Sequence, residues 1–346
     1  MADGAKPRRY VAMVVQTLIA LTGSAATLFY AFHGVDLGET MERLVRSNMP
    51  ALIAYALINL AIHAVRTVRW GLLVEPLGKV GRRAVFASAS VGIPAAMFLP
   101  LRLGEFVRPA MLVRNGVGFA GGMAAVVVER VADGLVNVGL FFALLGMIPG
   151  GSALPEQVQT LSRVALVGFG GASLVLVVMA LMRERAVAMA KHVLSPLPAA
   201  IAKKLLELIS SFLEGVHALA SVRRSFMFVL LTAIYWAASG WSFSLIAASY
   251  GLELPLIAGP FTVSALVFTV MIPAAPGFAG TYELGVRLGL APFGVSGQDA
   301  AVVAVASHIV QLGIQALILG AGLLAVERGA GSLFGSVKPP ERPGTE

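Results

Sequence analysis

Long apolar runs separated by short clusters of charged residues dominate the chain. Runs near or above the roughly 20 residues that span the hydrocarbon core of a bilayer recur along its whole length. They predict an all-α polytopic membrane protein. Full transmembrane helices are expected over six runs: Tyr10 to Phe32, Met49 to about Leu73, Phe119 to about Ile148, about Leu161 to Met182, about Phe226 to Tyr250, and Ala300 to Val326.

Two further apolar regions, Ala84 to Arg114 and Pro255 to Leu290, are interrupted by prolines and glycines. Proline breaks helices, and irregular backbone at membrane depth is tolerated only where protein or a wet cavity satisfies its polar groups. We therefore interpret each region as a re-entrant helical hairpin. Eight ordinary kinked spans are the alternative interpretation.

The basic residues collect at alternating ends of the predicted spans, and the positive-inside rule then places both termini in the cytoplasm. On this topology the two hairpins enter the membrane from opposite sides. The order span, hairpin, span occurs over 49–148 and again over 226–326, which predicts the inverted repeat that many transporters use. Residues 201–220 form either an amphipathic helix on the cytoplasmic face or a plain connector. Residues 1–330 are thus one transmembrane domain, and 331–346 are expected to be a disordered cytoplasmic tail.

The composition supports a membrane protein, because 58% of the residues are hydrophobic and 13% are charged. Soluble proteins average about 25% charged residues. The net charge of +8 is spread over helix ends, which favours membrane lipids as partners and argues against nucleic acid. The chain has no cysteine, no metal-ligand spacing and no nucleotide-binding loop, so neither metal nor cofactor is expected. The expected location is a bacterial-type cytoplasmic (inner) membrane.

Charged side chains inside the apolar segments carry the strongest functional signal. An arginine or aspartate near the bilayer centre costs about 2.5–3.5 kcal/mol, so each must be paired or face water. Glu105 and Arg108 are three residues apart, and Glu283 and Arg287 are four apart. At these spacings two helical residues share a face. We therefore predict one neutralising ion pair in each hairpin.

Three predicted spans also carry a polar stripe at helical spacing. These stripes are Glu129, Asp133 and Asn137, with Arg130 beside them; His308, Gln311 and Gln315; and Asn59, His63 and Arg66, which lead toward Arg69 at the basic end. Together with the hairpin tips, the stripes predict a polar and partly wet cavity. Such a cavity suits a zwitterionic or anionic head group.

Arginine is the residue expected against a phosphate, because its planar fork binds two oxygens and does not deprotonate. Arg102, Arg108 and Arg130 are the candidates for phosphate contact. The carboxylates are expected to hold these arginines, to bind a cationic head group, or to carry a coupling proton; internal salt bridges that fix helix packing are the alternative. The predicted substrate-binding set is Arg102, Glu105, Arg108, Glu129, Arg130, Asp133, Glu283 and Arg287, with a secondary lining of Asn59, His63, Arg66, Asn137, Tyr282, His308 and Gln311.

Three sequence blocks resemble the flippase-like family related to the transmembrane region of lysylphosphatidylglycerol synthases. They are Pro-Leu-Arg-Leu-Gly-Glu-Phe-Val-Arg ending at Arg108, Glu-Arg-Val-Ala-Asp ending at Asp133, and Pro276-Gly277 with Glu283. The resemblance extends from the first predicted span to the last. It implies movement of a lipid or lipid-linked polar group between leaflets, with lysylphosphatidylglycerol, cardiolipin and polyprenyl-phosphate carriers as candidate substrates. Lysyl transfer is not implied, because no room follows the last span for an aminoacyl-transferase domain.

We therefore expect a flippase-like translocase of a lipid head group, and not an enzyme. One alternative is a membrane-embedded transferase that acts on a lipid carrier, although such enzymes usually place their metal-binding carboxylates in aqueous loops. The other is a non-transporting scaffold of a lipid or envelope pathway, with the amphipathic helix as its partner site. A homo-oligomer or a lipid-biosynthetic partner is compatible with each.

Overall fold

A computed structural model describes residues 5–148, 182–218 and 221–329, with scattered positions between 160 and 178. The described residues form helices and connecting turns, with no strand among them. This agrees with the predicted all-α class. The predicted span from about Leu161 to Met182 lies largely outside the described residues, and the predicted tail at 331–346 lies wholly outside them.

Twelve α-helices follow one another in these ranges. They are α1 (Ala5–Phe32), α2 (Leu37–Leu44), α3 (Met49–Val74), α4 (Arg82–Phe98), α5 (Val107–Leu112), α6 (Phe119–Leu145), α7 (Arg183–Val193), α8 (Ala199–Ala218), α9 (Val222–Ser249), α10 (Ala258–Thr269), α11 (Thr281–Leu290) and α12 (Gly297–Gly329). Local chemistry sets several boundaries. The Asn48 side chain, for example, accepts a hydrogen bond from the amide of Ala51 at the start of α3, where Pro50 occupies the first turn.

Among the described residues, three segments are long and apolar enough to cross a membrane: Met49–Leu77, Val222–Ser249 and Gly297–Glu327. Helix α6 has a comparable length, but its middle carries Glu129, Arg130 and Asp133. Many large apolar side chains on these helices face outward, as lipid-facing residues do. The protein is a multi-pass membrane protein.

Each of the two interrupted regions folds into a pair of helices that pack on each other. In the first, α4 packs on α5 and on the 3₁₀ segment Pro100–Phe106 that joins them. In the second, α10 packs on α11 across a segment that contains the 3₁₀ turn Pro276–Phe278. Glycine permits the first pair to approach closely, because a Cβ at Gly104 would overlap the α4 backbone. We name these pairs the first and second hairpins, and the segments between their helices the first and second breaks.

The helices of the two halves pack reciprocally. Helix α3 packs on α9, α4 of the first hairpin packs on α12, and α10 of the second hairpin packs on α6. The segment predicted as a connector is helix α8, which packs against α6. Its Leu213 is fully buried. Residues of both breaks line one cavity between these helices.

Candidate functional site

A cavity of about 480 Å³ lies between α3, α4, α6, α9, α10 and α12 and is bounded by both breaks. This volume falls within the roughly 300–1,000 Å³ typical of ligand sites. Nine of the fifteen predicted site residues line it: Arg102, Glu105, Arg130, Asp133, Asn59, His63, Arg66, Tyr282 and Gln311. Both breaks and residues of all three predicted polar stripes therefore border one cavity, whose lining also includes many apolar side chains.

The two breaks touch each other at the cavity wall. Arg102, in the first break, places its guanidinium carbon 5.4 Å from the ring centroid of Phe278 in the second. It also donates a hydrogen bond of 3.0 Å to the carbonyl of Val270, directly after α10. Arg102 and Phe278 have positive φ angles of 56° and 60°, a left-handed conformation that costs free energy for residues with a side chain. Strained backbone of this kind is concentrated at functional sites.

Arg108 occupies the centre of a buried ion-pair network behind the wall. Its guanidinium lies 2.6 Å from Glu129 and 3.1 Å from Glu105 and covers the ring of Trp70 at 4.6 Å. The predicted Glu105–Arg108 pair is therefore confirmed. The proposed phosphate contact of Arg108 is not supported, because the residue is 1% exposed and it does not line the cavity. Glu129, which is also fully buried and outside the lining, neutralises it.

A second buried pair joins α3 to α6. Arg69 lies 2.5 Å from Asp133, whose Oδ1 also accepts a hydrogen bond from the indole of Trp236. Arg69, which the sequence placed at the basic end of its span, is fully buried. Asn137, predicted as lining, donates to the Asp133 carbonyl and lies behind the wall. Two of the three residues of the predicted α6 stripe, Glu129 and Asp133, thus take part in ion pairs that join α6 to its neighbours.

The cavity wall carries more positive than negative charge. Arg130, about a third exposed, lies 3.4 Å from Glu105 and 3.5 Å from Glu129. Within the described residues, Arg66 and Arg102 have no carboxylate at ion-pair distance; Arg66 instead lies 5.7 Å from the Tyr235 ring. The cavity and its immediate surroundings therefore hold five arginines against three carboxylates, which leaves two positive charges uncompensated.

Two polar atoms on the wall have no partner among the described residues. They are Nδ1 of His63 and Oε1 of Gln315, in side chains that are 7% and 5% exposed. The other ring nitrogen of His63 lies 3.0 Å from the Ser90 hydroxyl. Buried polar atoms are almost always satisfied by protein, water or ligand. These two atoms are therefore available to a polar ligand or to water.

The second hairpin differs from its prediction. The predicted Glu283–Arg287 pair is wrong, because Glu283 bonds to His308 at 2.6 Å. Arg287 instead donates from Nη1 to three carbonyls at the end of α1, those of Tyr30, Ala31 and His33. The last carbonyls of a helix have no partner within it, so a cation is stabilised there. Glu283, Arg287 and His308 are thus absent from the cavity lining.

Helix α9 supplies wall residues that the sequence analysis did not identify. Tyr235, Trp236, Ser239, Ser242 and Phe243 all line the cavity, as does Tyr55 of α3. Gln315, from the predicted stripe on α12, lines it as well. Tyr235, Ser239 and Ser242 recur at spacings of four and three residues. This pattern would have identified the face, but uncharged hydroxyl groups in apolar helices are common and carry a weak signal.

A family model described as the lysylphosphatidylglycerol synthase TM region matches residues 13–320. Among curated proteins and solved structures, none matches the chain. The matched residues include every residue of the cavity wall and of both hairpins. The chain therefore belongs to the family of the lysylphosphatidylglycerol synthase TM region.

Proposed function

We propose that this protein is a lipid translocase that moves the polar head group of a membrane lipid between the two leaflets through the central cavity. The substrate is an anionic or zwitterionic phospholipid or a polyprenyl-phosphate carrier. The acyl or polyprenyl chains stay in the surrounding lipid while the head group crosses. The protein changes the position of its substrate and not its covalent structure, so it is not an enzyme.

The proposed topology is six full spans and two re-entrant hairpins, arranged as an inverted repeat in a bacterial-type cytoplasmic membrane with both termini in the cytoplasm. The reciprocal packing of α4 on α12 and of α10 on α6 supports this arrangement, because a two-fold axis exchanges these two contacts. The meeting of both breaks at one cavity supports it as well. Discontinuous helices that meet near the midplane are typical of transporters with inverted repeats.

The observation that carries the proposal is the uncompensated positive charge at the cavity. Two partly buried cationic side chains without counter-ions are costly in a membrane protein, and an anionic head group supplies the missing charge. Arg66 on α3 and Arg102 on the first break both line the wall, so they are the proposed phosphate ligands. Glu105 and Asp133, on the same wall, are the proposed acceptors for a cationic or hydroxyl-bearing part of a head group.

Exchange of lipids between leaflets tests this proposal. The purified protein is reconstituted into liposomes that contain fluorescent anionic, zwitterionic or polyprenyl-phosphate lipids, and an impermeant quencher reports the outer-leaflet fraction over time. We expect exchange above protein-free liposomes, with loss in Arg66→Ala and Arg102→Ala. Arg83→Ala is the matched control, because Arg83 is an exposed arginine at the start of α4. Equal exchange by all three variants would contradict the assigned phosphate ligands.

A test for chemical conversion of lipids in detergent distinguishes the transferase alternative from translocation. A transferase converts a lipid carrier when divalent ions and a group donor are added, whereas a translocase leaves every lipid chemically unchanged. Mass spectrometry of the lipids before and after incubation distinguishes the two. Conversion that is abolished by Glu105→Gln would replace the translocase with an enzyme.

A further inference from the structure

The buried pair of Glu283 and His308 is not part of the cavity wall, and its two short contacts determine how many protons it holds. Nδ1 of His308 lies 2.6 Å from Oε1 of Glu283, and Nε2 lies 2.6 Å from the backbone carbonyl of Gly277. Both residues are more than nine-tenths buried. Each ring nitrogen of His308 thus faces an oxygen at hydrogen-bonding distance.

These two contacts fix the number of protons. A backbone carbonyl is only an acceptor, so Nε2 must carry a proton. The contact between Nδ1 and Oε1 needs a second proton, which lies on the imidazole or on the carboxyl group. A neutral imidazole beside a carboxylate has a single proton. The pair therefore holds two protons, which is one more than a neutral His308 and an ionised Glu283 carry together.

The surroundings favour the proton on the imidazole. The second oxygen of Glu283 accepts a hydrogen bond of 2.7 Å from the amide of Gly280 at the start of α11, and a helix N-terminus stabilises negative charge. The ring of Tyr282 stacks on His308 at 4.3 Å. The structure thus supports an imidazolium paired with a carboxylate, covered by an aromatic ring.

Few other charged or titratable groups lie on the elements packed around this pair. Tyr282 on α11 faces Tyr55 on α3. Arg102 of the first break reaches the neighbouring Phe278. Arg287, one turn after Glu283, is engaged by the carbonyls of α1, so neither arginine contacts the pair.

The pair holds both sides of the strained residue Phe278. His308 binds the carbonyl of Gly277, which precedes Phe278, and Glu283 binds the amide of Gly280, which follows it by two residues. Gly277 and Gly280 have positive φ angles of 79° and 88°, and Phe278 one of 60°. Such a segment persists only when its surroundings hold it in place. Loss of the shared proton leaves Nδ1 facing a carboxylate, or else leaves the Gly277 carbonyl without a donor.

We infer that His308 and Glu283 form a proton-binding site that holds the second break, and with it Phe278, against Arg102 at the cavity wall. Binding of the proton keeps this contact closed, and its release frees the break. The site thereby links proton occupancy to the shape of the cavity. The inference concerns proton binding and local structure, and it does not depend on the identity of the transported molecule.

Histidine nitrogen chemical shifts test the proton count. The protein is labelled with ¹⁵N-histidine in nanodiscs, and His308 is assigned by its absence in His308→Gln. We expect both ring nitrogens of His308 to be protonated at neutral pH. In Glu283→Gln the amide can donate to Nδ1, so we expect a neutral imidazole with its proton on Nε2. A neutral His308 beside an ionised Glu283, seen in the ¹³C shift of the Glu283 carboxyl carbon, would overturn the inference, and the wild-type spectra decide even where Glu283→Gln fails to fold.

Thiol labelling tests the coupling to the break. The chain contains no cysteine, so Ala279→Cys introduces a single thiol beside Phe278. With labelling rates normalised to the unfolded protein, we expect access to rise with pH as the proton shared by His308 and Glu283 is lost. The rise should disappear in the Glu283→Gln background and persist with His192→Asn, a change at an exposed histidine on α7. Labelling independent of pH in the wild type, or unchanged by Glu283→Gln, would overturn the coupling.

Discussion

Arg102 and Phe278 contact each other across the two breaks, and both have left-handed backbone. They are 176 positions apart in the chain, so each strained conformation is held by the other half of the protein. Left-handed backbone costs roughly 1–2 kcal/mol for a residue with a side chain. The guanidinium of Arg102 offsets part of that cost through its hydrogen bond to the Val270 carbonyl. At Arg102 a strained backbone thus carries a functional side chain. Substitutions at this position distinguish the effect of the backbone strain from the effect of the guanidinium.

Arg102→Gly and Arg102→Ala should differ in stability. Both variants lose the guanidinium, and both should lose lipid exchange. Glycine adopts positive φ without strain, so we expect Arg102→Gly to be more stable than Arg102→Ala by about 1 kcal/mol. The midpoint of thermal unfolding in one detergent measures the difference.

The adjacent Leu103 supplies the control for this comparison. It is exposed and does not have a positive φ, so glycine should be less stable than alanine there, as it is at most positions. The same order of stability at both positions would show that Arg102 is not strained. A reversed order at Arg102 alone supports a strained break.

Much of the fold follows from sequence because hydrophobic length and proline position act locally. The two interrupted regions were predicted from their prolines, and both form packed helix pairs. Glu129, Asp133 and Asn137 were predicted to share one face of a helix that lines the cavity, from their spacing of four residues. All three are buried on α6, and only Asp133 lines the cavity.

The partners of these side chains were less predictable. The spacing rule paired Glu283 with Arg287, but Glu283 is at the first turn of α11, where the Gly280 amide and His308 lie nearer. Arg69 pairs with Asp133, 64 positions away, and no local pattern connects them. Such contacts depend on which helices become neighbours, and that is decided by packing over the whole chain.

Arg108 and Arg66 should respond differently to removal of their charge. Arg108→Ala removes the closer of the two arginines that contact the buried Glu129, at 2.6 Å against 3.5 Å for Arg130. We therefore expect a loss of stability that approaches the roughly 3–5 kcal/mol typical of a broken buried pair and poor yield of folded protein. Arg66 has no carboxylate partner in the part of the chain that the structure describes, so Arg66→Ala should keep its stability and lose lipid exchange. Thermal unfolding and the exchange assay are measured on the same preparations.

A double substitution checks the reason given for the Arg108 effect. Arg108→Met with Glu129→Leu removes both buried charges, and replacement of a buried pair by apolar residues is often neutral. We expect this variant to be more stable than Arg108→Ala. If Arg108→Ala is instead as stable as the wild type and loses exchange, Arg108 is a substrate ligand after all.

Gly104 should be intolerant of even one added carbon. A Cβ at this position would overlap the backbone of Ala95 and Ala96 in α4. Gly104→Ala must therefore push the first break away from α4. We expect reduced thermal stability and loss of exchange. Gly139 on α6 is the matched control, because nothing lies within 4 Å of its added Cβ and alanine favours helix by about 0.5–1 kcal/mol. Equal unfolding midpoints for the two variants would contradict the close approach.

Arg287 should stabilise the end of α1 without taking part in lipid selection. Its Nη1 shares two hydrogens among three carbonyls at that end, and a hydrogen bond from a charged donor contributes about 1.5–3 kcal/mol when both partners are kept. Removal of the side chain takes away the protein donor of these carbonyls. We therefore expect Arg287→Ala to speed amide hydrogen exchange over the last turn of α1 and to lower the unfolding midpoint.

The lipid preference of Arg287→Ala should match that of the wild type, because the residue does not line the cavity. Arg287→Lys is the informative intermediate. A lysine keeps the charge but lacks the planar fork, so it should restore part of the protection of α1. A change in the ratio of anionic to zwitterionic lipid exchange in Arg287→Ala, with α1 still protected, would return Arg287 to the substrate-binding set that its spacing from Glu283 first suggested.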